Sequence, residues 1–206
     1  MSAFFSAVLH LDPVAIVQTG SYLGISLIIF AESGLLIGIL FPGDSLLFAS
    51  GLLAANGILA VGPLAFAVVV AAILGDSLGY WFGARFGIGF FEREESFFFK
   101  REYVQRTERF YERYGGRAIV LARFVPVVRT IAPVLAGIGS MTYKKFLVYN
   151  ALGGLLWGAG MLSLGYSIGS VLPSSEKYIL PLSLVIIVVS FIPVFVNLLR
   201  GKKGAT

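Results

Sequence analysis

The stretch Ala118–Gly139 reads AIVLARFVPVVRTIAPVLAGIG, and it combines the hydropathy of a membrane segment with two arginines and two prolines near its middle. Arginine at bilayer depth costs at least about 3 kcal/mol, so Arg123 and Arg129 are expected to face protein, water or an anionic ligand. Pro126 and Pro133 each remove a backbone donor, and broken backbone at membrane depth persists only where protein or a wet cavity covers it. The stretch therefore predicts a re-entrant hairpin that forms half of a transport site.

The composition of the chain is that of an integral membrane protein. Of its 206 residues, 57% are hydrophobic and only 13% are charged, and its mean hydropathy is +0.88. Its net charge of +5 comes from basic residues that flank apolar runs. This is the pattern of membrane topology, so we expect no nucleic-acid partner. The chain has no cysteine and a single histidine, His10, and we expect neither a metal site nor a cofactor.

Alternating apolar and polar runs predict one membrane domain with eight segments. In order, these are an interfacial N-terminal segment without the features of a cleavable signal peptide (1–20), a first re-entrant hairpin (22–61), a transmembrane helix (64–86), a charged cytoplasmic helix (92–117), a second re-entrant hairpin (118–141), two transmembrane helices (146–171 and 178–199) and a cytoplasmic tail (200–206). Pro42 and Gly43 mark the turn at the tip of the first hairpin. Gly75, Gly79 and Gly83 form a smooth stripe that serves either an internal helix contact or a contact between subunits of a homo-oligomer.

Basic residues at the segment ends predict the topology. A cytoplasmic C-terminus makes the span 178–199 run inward and the span 146–171 run outward, which places Lys144 on the cytoplasmic side together with Arg117. Residues 118–141 then begin and end on one side, as a hairpin does and a single span does not. The predicted fold is therefore all-α, with two inverted repeats of hairpin plus span and one additional C-terminal span. Residues 22–40 alternatively cross the membrane fully, with the N-terminus inside.

Ionisable side chains in the apolar segments are the candidate functional residues. They are Glu32, Asp44, Asp76, Arg85, Arg123 and Arg129. Arginine forks suit a phosphate headgroup, and a carboxylate beside them competes for the same cations until it binds a proton. The alternative is that these residues form buried ion pairs with only a structural role. The chain is not expected to be an enzyme, because no histidine base, nucleophile in a recognisable setting or clustered metal site is visible.

Three groups of residues resemble the DedA family, also called the SNARE-associated Golgi or VTT-domain family. They are Glu32 followed by Phe41-Pro42-Gly43-Asp44, the run Gly75-Asp76-x-x-Gly79-Tyr80-x-x-Gly83-x-Arg85, and Arg123-Phe-x-Pro126-x-x-Arg129 followed by Ala136-Gly137. The resemblance implies a bacterial inner-membrane protein with two re-entrant hairpins that depends on the proton motive force. It also implies translocation of undecaprenyl phosphate, or movement or scrambling of phospholipids. Glu32 and Asp44 match the family's essential acids, and Arg123 and Arg129 match its essential arginines.

The main hypothesis is a flippase for undecaprenyl phosphate or a related phosphate lipid. In it, Arg123 and Arg129 bind the phosphate, and Glu32 and Asp44 couple its movement to protons. Supporting residues are Asp76, Arg85, Pro42, Gly43 and Pro126. The alternatives are a phospholipid scramblase, a proton-coupled antiporter of small ions or cationic drugs, and a structural membrane factor.

Overall fold

The computed structural model describes residues 13–35, 43–87, 110–111 and 113–171, and these ranges contain seven α-helices and two π-helical turns besides helical residues between 110 and 114. The helices are α1 (Pro13–Gly34), α2 (Gly43–Ala55), α3 (Val61–Phe82), α4 (Arg117–Ala122), α5 (Pro126–Ile138), α6 (Tyr143–Gly154) and α7 (Gly160–Val171), and the π-helical turns are Gly83–Gly87 and Leu155–Ala159. No strand occurs within these ranges. The all-α prediction is therefore confirmed for this part of the chain.

Two helices are long and apolar enough to cross a membrane. The first is Val61–Phe86. The second is Tyr143–Val171, in which α6, the π-helical turn Leu155–Ala159 and α7 are joined end to end. Both predicted spans, 64–86 and 146–171, are thus helical, and each helix begins three residues earlier than predicted. The third predicted span, 178–199, and the tail, 200–206, lie outside the described residues, as does most of the charged segment 92–117.

The first predicted hairpin consists of α1 and α2. The backbone of α1 kinks at Ser21, where φ is 50°, so the segment Ser21–Gly34 forms a separate short apolar helix. The helix α2 has 13 residues, or about 20 Å against about 30 Å of hydrocarbon. It ends at Ala55, earlier than the predicted boundary at residue 61. Residues 1–12 of the expected interfacial segment 1–20 lie outside the described residues, and residues 13–20 belong to α1.

The second predicted hairpin consists of α4 and α5, which have six and 13 residues. The helical path is interrupted at Arg123–Val125, and α5 starts at Pro126. Proline is favoured at this first position because its missing N–H has no partner there in any helix. The expected break at Pro133 is wrong, because α5 continues through it. A Cβ added at Gly79 of α3 would lie 3.5 Å from Pro133, so the proline packs against the glycine stripe.

The two arms of each hairpin pack on different long helices. The first arms α1 and α4 pack on the long helix that follows each of them, α3 and α6 respectively. The second arms do the opposite, because α2 packs on α7 and α5 packs on α3. Glycines make these contacts close: a Cβ at Gly75 would lie 3.0 Å from the backbone of Gly34, and one at Gly137 would lie 3.1 Å from that of Gly83. The glycine stripe of α3 therefore serves internal helix contacts.

Gly165→Ala in α7 is expected to destabilise the protein by about 1 to 3 kcal/mol, because the new methyl group overpacks the contact with α2. A Cβ at Gly165 would lie 3.2 Å from the Cα of Gly51 and closer still to the backbone of Phe48. Gly160→Ala on the same helix is the matched control, since a Cβ there meets nothing within 4 Å. Helix propensity alone predicts that it stabilises the protein by up to about 1 kcal/mol. Unfolding in detergent measures both variants, and equal stabilities would contradict this packing.

Candidate functional site

Arg129 is the residue on which both hairpins converge. It lies in the first turn of α5, and its Nη1 donates a hydrogen bond of 2.7 Å to Oδ1 of Asp44 in α2. Its Nη2 donates to Oε1 of Glu32 in α1. The side chain of Arg129 is only 10% exposed, and those of Asp44 and Glu32 are 16% and 2% exposed. One guanidinium thus joins both arms of the first hairpin to the second arm of the second hairpin.

The start of α2 is shaped to hold this pair of acids. Asp44 lies in the first turn of α2, where the positive end of the helix dipole favours a carboxylate. A Cβ at Gly43 would lie 2.7 Å from Oε1 of Glu32 and would overlap the rest of its carboxylate. Glycine at this position therefore leaves room for the Glu32 carboxylate where the two arms meet. Pro42, which was predicted to support the site with Gly43, lies outside the described residues.

Arg123 occupies a second, deeper cluster. Its Nη2 donates to Oδ2 of Asp76, to Oδ1 of Asn150 at 2.6 Å and to the carbonyl oxygen of Ala72 at 3.4 Å. The Asn150 amide in turn donates to the carbonyl of Ile73 at 3.1 Å. The side chain of Arg123 is 3% exposed. The sequence did not assign Asp76 a partner, and the structure pairs it with Arg123.

Trp157 lies in the π-helical turn Leu155–Ala159 and touches both clusters. Its indole Nε1 donates a hydrogen bond of 2.7 Å to Oδ1 of Asp44. The guanidinium carbon of Arg129 lies 4.7 Å from the centre of its ring, and that of Arg123 lies 5.7 Å from it. Both distances are within the range of cation–π attraction. The five charged side chains and Trp157 form one connected group, which we call the buried charge cluster.

The remaining predicted residues are outside this cluster. Arg85 lies in the π-helical turn Gly83–Gly87, and its side chain is exposed. Pro126 starts α5 and thereby ends the interruption after Arg123. Trp157, a member of the cluster, and Asn150, which accepts a hydrogen bond from Arg123, were missed from the sequence. For Trp157 a signal existed, because it lies in the middle of an apolar span, whereas tryptophan in membrane proteins favours the two interfaces.

The charges of the cluster do not balance. Two arginines face three carboxylates, so one negative charge is in excess when every group is ionised. Within the described residues, two of its buried polar atoms have no hydrogen-bond partner, Oε2 of Glu32 and Nε of Arg123. One proton on a carboxylate would neutralise the cluster. The same ranges contain no group of three or more His, Cys, Asp or Glu side chains arranged to hold a metal ion.

Comparison with known proteins identifies the family. The family model of the VTT domain matches residues 41–167, which is more than half of the chain. The protein DedA of Escherichia coli K12 is 40% identical over 205 residues, covering 96% of this chain and 93% of that protein. The chain belongs to the DedA family of VTT-domain membrane proteins. The resemblance noted in the sequence is thereby confirmed.

Other members of the DedA family are similarly close. An uncharacterized membrane protein of Mycobacterium tuberculosis H37Rv is 44% identical over 183 residues, covering 88% of this chain and 80% of the relative. One from Mycobacterium leprae is 42% identical over 177 residues, covering 86% and 79%. No solved structure matches the chain. The matched VTT region contains Asp44, Asp76, Arg123, Arg129 and Trp157, whereas Glu32 precedes it.

Proposed function

We propose that this DedA-family chain is a lipid translocase rather than an enzyme. It moves undecaprenyl phosphate or a related phosphate-bearing lipid across the bacterial cytoplasmic membrane, and protons drive the movement. The observation that carries the proposal is the buried guanidinium of Arg129 shared between the carboxylates of Glu32 and Asp44. The lipid chain stays in the bilayer while the phosphate passes through the buried charge cluster.

Competition between carboxylates and phosphate supplies the chemistry. Arg129 uses its two terminal nitrogens on two different acids, and a phosphate presents two oxygens to the same fork. A proton that neutralises one carboxylate weakens its hold on the guanidinium and frees an N–H group for the phosphate. Because the ionised cluster carries one excess negative charge, an anion is repelled until a proton has entered. Proton uptake and phosphate binding are thereby linked, with Arg123 as the second cation on the path.

The helix lengths and their packing support re-entrant hairpins. The segment of α1 after its kink, Ser21–Gly34, and the helices α2, α4 and α5 are each too short to cross about 30 Å of hydrocarbon alone. Each second arm packs on the long helix of the other half, α2 on α7 and α5 on α3, as expected for two inverted repeats. In this architecture the hairpins enter from opposite sides, and Arg129 meets the acids of the first hairpin inside the membrane. We further propose that the basic C-terminal tail faces the cytoplasm.

Flux of a labelled polyprenyl phosphate into vesicles containing the purified protein tests the proposal. We expect transport of the phosphate and none of the matching polyprenol, since the arginines recognise only the headgroup. With one proton coupled per lipid, a gradient of 1 pH unit drives at most about tenfold accumulation, because each unit is worth about 1.36 kcal/mol per proton.

Other outcomes of the same experiment would contradict the proposal in distinguishable ways. Equal flux of the polyprenol would exclude recognition of the phosphate. Lipid flux that ignores the pH gradient would indicate a scramblase. Proton-coupled cation exchange without lipid flux would indicate an antiporter. Lys144→Ala removes an exposed cation at the start of α6 and serves as the control variant, for which we expect wild-type flux.

A further inference from the structure

We infer that Trp157 is a positioning residue of the transport site. It holds Asp44 and the two arginines in place while Arg129 exchanges a carboxylate for the phosphate of the lipid. This inference rests on the proposed function and assigns a role to a residue that the DedA motifs quoted above do not include.

Three contacts carry the inference. The indole Nε1 of Trp157 and Nη1 of Arg129 both donate to the same oxygen, Oδ1 of Asp44, each at 2.7 Å. The indole ring lies under the guanidinium of Arg129 at 4.7 Å and near that of Arg123 at 5.7 Å.

The local backbone explains how a bulky ring fits between the two arginines. Trp157 is 3% exposed and lies in a π-helical turn, and such turns are frequent at functional sites. The neighbouring Gly154 faces Arg123, and a Cβ there would lie 3.5 Å from its Nη1, an ordinary contact distance. Gly158 packs more tightly on α3, since a Cβ there would lie 3.2 Å from Val68. The polar edge of the ring thus reaches Asp44 while its centre lies within 5.7 Å of both guanidinium carbons.

During exchange, each partner of Arg129 needs a substitute contact. When the phosphate takes the place of Asp44 on Arg129, the carboxylate keeps the indole N–H as a donor. When Arg129 has released both carboxylates, its guanidinium keeps the cation–π contact with the ring of Trp157. Trp157 therefore keeps one contact to Asp44 and one to Arg129 when these two residues separate in the membrane interior, where an unpaired charge is most costly.

Two substitutions separate these contributions. Trp157→Phe keeps a ring face but removes the N–H donor, whereas Trp157→Leu removes both. We expect Trp157→Phe to retain a near wild-type KM for the lipid phosphate and to lower the maximal flux by about tenfold, because Asp44 loses the indole N–H as a donor during the exchange. We expect Trp157→Leu to raise the KM by about tenfold as well, because Arg129 loses its cation–π contact with the ring.

Fluorescence gives a readout that does not depend on transport. The chain has two tryptophans, and Trp81 is 52% exposed on α3, so Trp81→Phe leaves Trp157 as the single emitter. In that background we expect Asp44→Asn to change the emission in the absence of lipid. We expect polyprenyl phosphate to change it in the parent and not in a variant that also carries Arg129→Ala.

The two hypotheses fail in different ways. If the wild type transports lipid phosphate and both Trp157 variants match it in KM and maximal flux, the positioning role is overturned and the proposed function stands. Emission that ignores both Asp44→Asn and polyprenyl phosphate in a transporting protein would overturn the role as well. If the wild type neither binds nor transports lipid phosphate, the proposed function fails first and the exchange role fails with it.

Discussion

Arg129→Ala is expected to reduce lipid-phosphate flux by at least about 100-fold. The substitution removes a bidentate, charge-assisted contact to the phosphate worth about 3 kcal/mol in a buried setting. It also leaves the carboxylates of Glu32 and Asp44 facing each other in a site where their side chains are 2% and 16% exposed. The effect is measured as the initial rate of polyprenyl phosphate flux into vesicles at equal protein density.

Loss of flux has to be separated from loss of fold. Removing one partner of a buried ion pair costs about 3 to 5 kcal/mol, so Arg129→Ala is expected to unfold more easily. Combining it with Glu32→Gln and Asp44→Asn removes the unpaired negative charges. We expect this neutral triple variant to recover most of the lost stability and none of the flux. A triple variant that transports like the wild type would exclude Arg129 as the phosphate-binding residue.

Arg129→Lys tests the geometry of the same contact. A lysine keeps the charge but replaces the planar fork with a point charge, which cannot bind phosphate in a bidentate manner. We therefore expect the fold to persist and the flux to remain strongly reduced. Lys144→Ala, which removes a charge of the same sign at an exposed position, should leave the flux unchanged.

The sequence contained enough information to find most charged members of the buried cluster. Glu32, Asp44, Arg123 and Arg129 stand out because an ionisable residue in an apolar segment is costly and needs a partner. The two long helices follow from hydropathy in the same way, since their length matches the membrane. These features depend on local composition alone, which is why they could be read without a structure.

The pairing within the cluster could not be read from the sequence. Asp76 pairs with Arg123, which is 47 positions away, and Arg129 reaches Glu32 across 97 positions. Such partners depend on how α3, α5 and the first hairpin cross, and these crossings are set by glycine contacts spread over the chain. Asn150 and Trp157 were missed for a related reason. Neither carries a charge, and only the position of Trp157 in the middle of an apolar span was a signal.

Pro133 shows a second limit of local rules. Proline in a helix removes one hydrogen bond and strains the preceding turn, so a break was expected there. The helix α5 instead continues through Pro133, which packs on α3 at Gly79. The break lies directly before α5, at Arg123–Val125, because Pro126 is favoured as the first helical residue.

Arg123→Ala is expected to destabilise the protein by about 3 to 5 kcal/mol, because it leaves Asp76 buried without its cation. Both side chains are nearly inaccessible, at 3% and 6% exposure. Unfolding in detergent measures this loss. Arg113→Ala is the matched control, since it removes an exposed arginine that lies over the ring of Tyr114 at 5.6 Å. We expect the control to change the stability by less than about 1 kcal/mol.

The double variant Arg123→Leu with Asp76→Leu decides between a structural and a transport role for this pair. Replacing a buried ion pair with apolar residues of similar volume is often neutral or stabilising, so the double variant is expected to regain stability relative to Arg123→Ala. If Arg123 is the second cation on the phosphate path, the stable double variant still loses lipid flux. Flux at the wild-type rate in this variant would limit the pair to holding α3, α6 and the second hairpin together, and would leave Arg129 as the sole buried cation of the proposed path.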